Sequence, residues 1–264
     1  MSVKDMWDYK KIHKDIKNKG YYVFKNYLDK NELKKIKNTL LETLNYIDGE
    51  KNTSLIKKYF KIRDTQPKLK GNWYDIAPYN IDLLQILHKK KMINFVKKYF
   101  KTNVVFSGRP AIHVHDDLND RLLEAHQETN QIARDTIVFW CPLYDTNKKT
   151  GGLCVFENSH KNGYFKHNIE NPKLGSKSWT KNYTHIKEKN IKNYNKKYLE
   201  VEAGTAIIFI SSLVHSGYPS TKKGSLRITI TERFNPLQKI PFLKNEKAPL
   251  KMPYVGVDYN KIKI

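Results

Sequence analysis

The residues best suited to chemistry in this 264-residue chain are its nine histidines, and the first question is which of them stand near a carboxylate at ligand spacing. A histidine followed two positions later by Asp or Glu occurs at His13 with Asp15, His115 with Asp117 and His126 with Glu128. With 26 acidic residues in the chain, about one such pair arises by chance, so the surroundings must discriminate. His13 and Asp15 fall on a helical pattern, where positions i and i+2 face different ways and cannot share an ion. His115 and Asp117 close a strand pattern at a polar turn and stand as a competing ligand pair. His126 and Glu128, if extended, project to one side of the backbone, just ahead of the apolar run 135–144. His215 follows another apolar run, 204–210, far along the chain. Two imidazoles and one carboxylate on one face of an ion leave three positions open. That set suits non-haem Fe(II), which then takes a bidentate cosubstrate and dioxygen together. Twelve residues past His215 comes Arg227, with Thr229 on the same face of a strand pattern. An inward guanidinium fork beside a hydroxyl suits the tail of a dicarboxylate.

These residues need elements to position them. The first hundred positions read mostly as helix: Trp7 to Lys19 has apolar spacing at Trp7, Ile12 and Ile16 before Gly20, and GYYVFKNYL (20–28) reads as a short strand. Asp29 with Glu32 forms a capping box, and Leu33, Ile36, Leu40, Leu41 and Leu44 then recur at helical spacing up to Gly49. Two more helices are predicted around Ile81 to His88 and Met92 to Phe100. From Asn103 the texture changes to short or alternating apolar runs: NVVFSG, AIHVH, DTIVFWCPLY, GGLCVF, GTAIIFI and SLRITITERF. Strands in succession without intervening helices predict an antiparallel sandwich or barrel, not a doubly wound sheet. The organisation expected is one domain over 1–264: a helical buttress over 1–100, a β core over 101–235 and a C-terminal extension over 236–264. Inside the core, the Lys- and Asn-rich stretch 164–200 lacks apolar periodicity and reads as a polar lid or a disordered insertion.

Composition narrows the classes. Hydrophobic residues are 39% and aromatics 12% of the chain, enough to fold a core and too many for a disordered protein. No stretch approaches the roughly 18–20 apolar residues of a membrane span, and the charged MSVKDMWDYK start lacks a signal-peptide core. A soluble cytoplasmic protein is expected. Cys141 and Cys154 are too few for a disulfide framework and lack zinc-site spacing, so they read as buried thiols in a reducing compartment. The formal charge is +23, which raises the question of nucleic acid. However, only six of the 49 basic residues are arginine, the other 43 lysine, and nucleic-acid readers favour the bidentate arginine fork. A chain heavy in Lys, Asn and Ile is also what an A/T-rich coding sequence produces.

The ordered set of segments GYYVFKNYLDKNELKKIKNTL, AHQE (125–128), VFWCPLYDTNKKTGGLCVFENSHKNG (138–163) and AGTAIIFISSLVHSG through LRITITERF (203–234) resembles the phytanoyl-CoA dioxygenase-like branch of Fe(II)/2-oxoglutarate oxygenases. The resemblance is collinear from about Gly20 to Phe234. It implies a double-stranded β-helix, or jelly roll of the cupin type, buttressed by the N-terminal helices. It also implies Fe(II) held by His126, Glu128 and His215, 2-oxoglutarate held by Arg227 with Thr229, Trp140 lining the cosubstrate pocket, and dioxygen as co-reactant. Glu128 stands where the family usually has Asp: one methylene longer, with the same charge and donor. The activity implied is hydroxylation of a C–H bond in a small molecule, an anionic one being compatible with the lysine content, with succinate and CO2 as co-products. His160, in ENSHKNG, reads as a turn and packing residue, and His113 and His115 as strand histidines. Two other readings are carried. Arg227 and Arg233, with Thr229 and Thr231 between them, resemble the Arg-rich strand of nucleic-acid demethylases, and a barrel that only binds its ligand would keep the fold without the chemistry.

Overall fold

The computed structural model describes residues 7–51, 54–108, 110–118, 122–128, 133, 135–169 and 184–240. Residues 170–183 of the expected lid and 241–264 of the expected C-terminal extension lie outside them. Among the described residues six α-helices occupy the N-terminal part: α1 Tyr9–Lys19, α2 Lys30–Asp48, α3 Leu55–Thr65, α4 Pro67–Ile76, α5 Ile81–Leu87 and α6 Lys90–Phe100. Their ends follow local chemistry. Asp8 accepts from the amides of Lys10 and Lys11 at the start of α1, and Gly20 closes that helix in the left-handed region at φ 92°. A Cβ on Gly20 would also fall within 3 Å of Leu213 and His160, so this turn requires glycine. The capping box of Asp29 and Glu32 is formed at the head of α2. Helices α3 and α4, which start at a Ser54 cap and at Pro67, complete the bundle.

The described strands make two main antiparallel sheets and one two-stranded pairing. The larger contains β1 (Tyr21–Phe24), β9 (Ala206–Ile210), β4 (Ile137–Pro142), β11 (Leu226–Pro236) and β2 (Val105–Ser107) in that order, with β3 (Ala111–Asp116) also paired to β11. The smaller runs β10 (His215–Tyr218), β5 (Gly152–Phe156), β8 (Lys196–Leu199). A two-residue pairing of β6 (Asn168–Ile169) with β7 (Thr184–His185) stands apart. The tail of the stretch expected as a polar lid is thus an edge strand of the smaller sheet: β8 pairs Leu199 with Leu153 and buries it, while Lys196, Lys197 and Tyr198 stay exposed. A four-residue edge strand with one apolar contact leaves almost no periodicity to read.

The larger sheet has two working faces. One packs on the helices, where Ile112, Val114, Phe139, Ile208, Ile228, Ile230 and Phe234 join Ile12, Leu40, Trp73, Leu87 and Val96 in one continuous core. The other faces the smaller sheet. Val138, Trp140, Leu153, Val155, Leu199, Ile207 and Phe209 form an apolar cluster between the sheets. Strand β11 shows why the arrangement is unique. Its sequence LRITITERFNP alternates apolar and polar, so a one-residue slip would drive Arg227, Thr229, Thr231 and Arg233 into the helix-facing core. Glu232 is the exception on the helix side: fully buried, it accepts from His88, the Ser107 hydroxyl and the Gly108 amide. The cysteines are buried, free thiols, and burial pushes Cys154 up to about 11.

Candidate metal centre

His126 and His215 come from distant segments that meet in an antiparallel bridge, each donating its amide to the other's carbonyl at 2.9 and 3.0 Å. Glu128 is fixed two residues on by its amide to the Ser211 carbonyl at 3.0 Å. Between them, Gln127 points away from the cavity and is buried. Its side-chain amide donates to the Gly163 and Ser212 carbonyls and accepts from the Phe165 amide at 2.8 Å, while its backbone N–H donates to His167 Nε2 at 3.0 Å. That anchoring turns His126 and Glu128 to the same side, as the i, i+2 spacing requires.

The three side chains each offer a donor atom, and these atoms all lie within 4.8 Å of one another; among the described residues no other group of three or more His, Cys, Asp or Glu could hold a metal ion. The rival pair is separated. His115 faces the cavity from β3, but Asp117 is engaged elsewhere by Arg63 at 2.9 Å and by the Gly224 amide at 2.7 Å. His13 packs against Tyr9 and Tyr99. His160 donates through Nε2 to the Lys17 carbonyl at 3.0 Å and ties the turn after β5 to α1.

Both imidazoles have their tautomer set. His126 Nδ1 donates to the Glu124 carbonyl at 2.7 Å and His215 Nδ1 to the Leu213 carbonyl at 3.0 Å. A carbonyl can only accept, so in each ring Nδ1 carries the proton and Nε2 keeps its lone pair. Burial holds both below the ordinary histidine range, His215 at about 3. Burial alone would raise the Glu128 carboxyl, but the Arg233 guanidinium and His215 outweigh it and hold the group at about 2. At neutral pH the donor set is two neutral imidazoles and one carboxylate, the protonation state that metal binding demands.

These residues line a cavity together with Trp140, Arg227, Thr231 and Arg233. Trp140 stands across from Thr231 on β11. Arg227 is 3% exposed, and its Nε and Nη1 have no hydrogen-bond partner among the described residues. A buried guanidinium with idle donors is costly unless an anion reaches it, and a carboxylate fits the gap. Thr229 shares its strand face, with its hydroxyl donating to the His113 carbonyl at 3.3 Å. Arg233, read from the sequence only as one of two arginines on that face, grips the candidate ligand itself: its Nη2 lies 2.9 Å from Glu128 Oε1 and its Nε 3.4 Å from Oε2. No spacing in the sequence signals that contact, because the two residues are 105 positions apart and meet only when the bridge and β11 close on one cavity.

A family model described as phytanoyl-CoA dioxygenase matches residues 16–227. The chain belongs to this family. As a member of the phytanoyl-CoA dioxygenase family it is an oxidoreductase that works with iron, 2-oxoglutarate and dioxygen, and its double-stranded β-helix is the fold of its structural neighbours. Among solved structures, AviO1 from Streptomyces viridochromogenes Tue57 is 13% identical, with 88% of this chain and 97% of that one covered at a TM-score of 0.58. The non-haem α-ketoglutarate-dependent carbocyclase SnoK from nogalamycin biosynthesis is 12% identical over 85% and 83%, at 0.58. The epimerase SnoN in complex with Fe3+, α-ketoglutarate and nogalamycin RO is 10% identical over 94% of each chain, at 0.54. Among curated proteins none matches this chain in sequence. No helix among the described residues is long and apolar enough to cross a membrane.

Proposed function

We propose that His126, Glu128 and His215 hold the Fe(II) of this family member, that Arg227 receives the distal carboxylate of 2-oxoglutarate, and that the protein hydroxylates a C–H bond of a small organic molecule. The carrying observation is the pair of imidazoles locked by backbone carbonyls with both Nε2 lone pairs and the Glu128 carboxylate converging on one cavity. Iron with 2-oxoglutarate and dioxygen supplies the oxidising power for an unactivated C–H bond, and succinate and CO2 leave as co-products. The chain's own residues bind and orient. Arg227 offers two idle donors in a dry setting, where a charge-assisted pair is strongest. Thr229 follows it on the same strand face, with its hydroxyl on the His113 carbonyl, and Trp140 forms part of the pocket wall. Apolar walls from Leu123, Val138, Leu153 and Phe209 around a few convergent polar groups suit a small molecule. Two guanidinium groups against one carboxylate favour an anionic one.

The test is anaerobic addition of Fe(II) and 2-oxoglutarate to purified protein, watching for the weak visible charge-transfer band of a chelated 2-oxoacid. The band is expected in the wild type, lost in Glu128→Ala and weakened in Arg227→Ala. A folded wild-type protein that gives no band overturns the assignment.

A further inference from the structure

Beyond the positive charge it adds to the cavity, Arg233 has no assigned task, yet it contacts a candidate metal ligand directly. It projects from β11 on the same face as Arg227, makes a two-pronged contact with Glu128, and passes its remaining nitrogen to the Thr231 hydroxyl at 2.9 Å. Its side chain is 14% exposed and that of Glu128 11%. The oxygen nearest to Arg233, Oε1, is also the one that faces His215 Nε2, at 3.8 Å. One carboxylate oxygen therefore faces both the guanidinium and the space between the candidate ligands. In the metal-free protein the pair is balanced, one charge against the other, and burial without that balance would be expensive.

We propose that Arg233 is a positioning residue that couples the two ligands of the site: it competes with the metal for Glu128, and its charge then favours the arrival of 2-oxoglutarate. The inference rests on the metal and cosubstrate assignment above. A dication entering beside Arg233 must share Glu128 with a fixed positive charge, so metal alone binds less tightly than the bare triad would allow. Once Glu128 is shared, the cavity holds two guanidinium groups and a dication against one carboxylate, and a dianionic cosubstrate relieves that excess. Linkage requires the reverse as well: 2-oxoglutarate tightens the metal by the same factor that the metal tightens 2-oxoglutarate. Arg227 cannot play this part, because it has no contact with the triad. It affects the cosubstrate alone.

The experiment is a Co(II) titration of the full chain, followed by the visible absorption of bound cobalt, without and with saturating 2-oxoglutarate, for wild type, Arg233→Gln and Arg227→Gln. Wild type is expected to bind Co(II) about tenfold or more tightly when 2-oxoglutarate is present, within the usual range of such couplings. Arg233→Gln is expected to bind Co(II) alone several-fold more tightly than wild type and to lose most of the coupling. Arg227→Gln is expected to keep the wild-type affinity for Co(II) alone. Equal Co(II) affinity and equal coupling in wild type and Arg233→Gln overturn the proposal, as does weaker Co(II) binding by that variant, which marks a purely structural hold on Glu128. If Arg233→Gln does not fold, Arg233→Lys, which keeps the charge but loses the fork, is read by the same criteria and is expected to fall between the two. A wild type that binds no Co(II) under either condition removes the metal assignment and this proposal with it, a result distinct from Co(II) binding without coupling.

Discussion

Replacing Arg227 by methionine should make the protein more stable on its own and much worse at holding its cosubstrate. Burial pushes the guanidinium down to about 10, so the charged form is disfavoured by about 3 kcal/mol in the folded, cosubstrate-free state. The sign follows from a base whose proton affinity is lower when folded: the penalty is fully present below pH 10 and disappears only where the arginine of the unfolded chain has lost its proton too. Methionine keeps much of the apolar contact of the arginine stem and leaves no idle donor. After some loss of packing, a gain of roughly 1–3 kcal/mol remains, a rise in Tm of at least about 2 °C for a chain this long. With 2-oxoglutarate the order reverses. Two charge-assisted hydrogen bonds at about 1.5–3 kcal/mol each amount to a loss of at least about a hundredfold in affinity. Thermal unfolding with Mn(II), at neutral pH, with and without 2-oxoglutarate, reads both effects in one series. A variant that melts 2 °C or more below wild type without cosubstrate, or that keeps wild-type cosubstrate affinity, refutes the reasoning.

Three further outcomes are expected. His126→Ala and His215→Ala should lose metal-dependent succinate formation and bound iron while keeping wild-type circular dichroism; normal turnover by either rules out the triad. His113, which burial holds at about 3, is neutral when folded and takes up a proton on unfolding, so its contribution is intact above pH 6.5 and drains away below it. By pH 5 this amounts to about 2 kcal/mol, and urea unfolding should show a shallower acid slope in His113→Leu than in wild type. The Lys58–Asp48 ion pair between α2 and α3 is 1% exposed on both sides, so Lys58→Met alone should cost about 3–5 kcal/mol by stranding a buried carboxylate; adding Asp48→Leu should recover most of it. Equal stability of the single and double variants contradicts that account.

How legible the molecule was in its sequence depended on the range of each signal. The Asp29–Glu32 capping box, the Gly20 stop and the alternation of SLRITITERF are written within one or two turns of chain, and the structure realises each of them. Helix α3 is masked in the sequence, although Ser54, Leu55, Tyr59 and Ile62 carry its cap and its buried face, because lysines crowd the intervening positions and Pro67 and Gly71 follow closely. The strand at Lys196–Leu199 is defined by its partner β5 and not by its own composition. The His126–Glu128 spacing pointed to one side of the backbone, but what turns both residues inward is Gln127, whose amide is consumed by segments 36 and 85 residues away. The grip of Arg233 on Glu128 belongs to the same category of long-range fact.

Strand β11 shows how fold and chemistry are joined in one stretch of sequence. Its apolar alternate positions are held by the helical layer, and that hold is what aims its polar alternates at the cavity. Arg227 and Arg233 are six residues apart, about 20 Å along an extended strand, so the same register places one guanidinium beside Glu128 and leaves the other, without a partner, away from the triad. The cavity thus has a metal end and an anion end because a single period-two pattern is anchored from behind. A change that loosens the anchor, such as Ile228→Ala or Ile230→Ala in the buried helix-facing row, removes about 2–5 kcal/mol of packing without touching a ligand. Its effect on activity should appear first as weakened 2-oxoglutarate binding, since Arg227 has no partner of its own to hold it in place when β11 shifts.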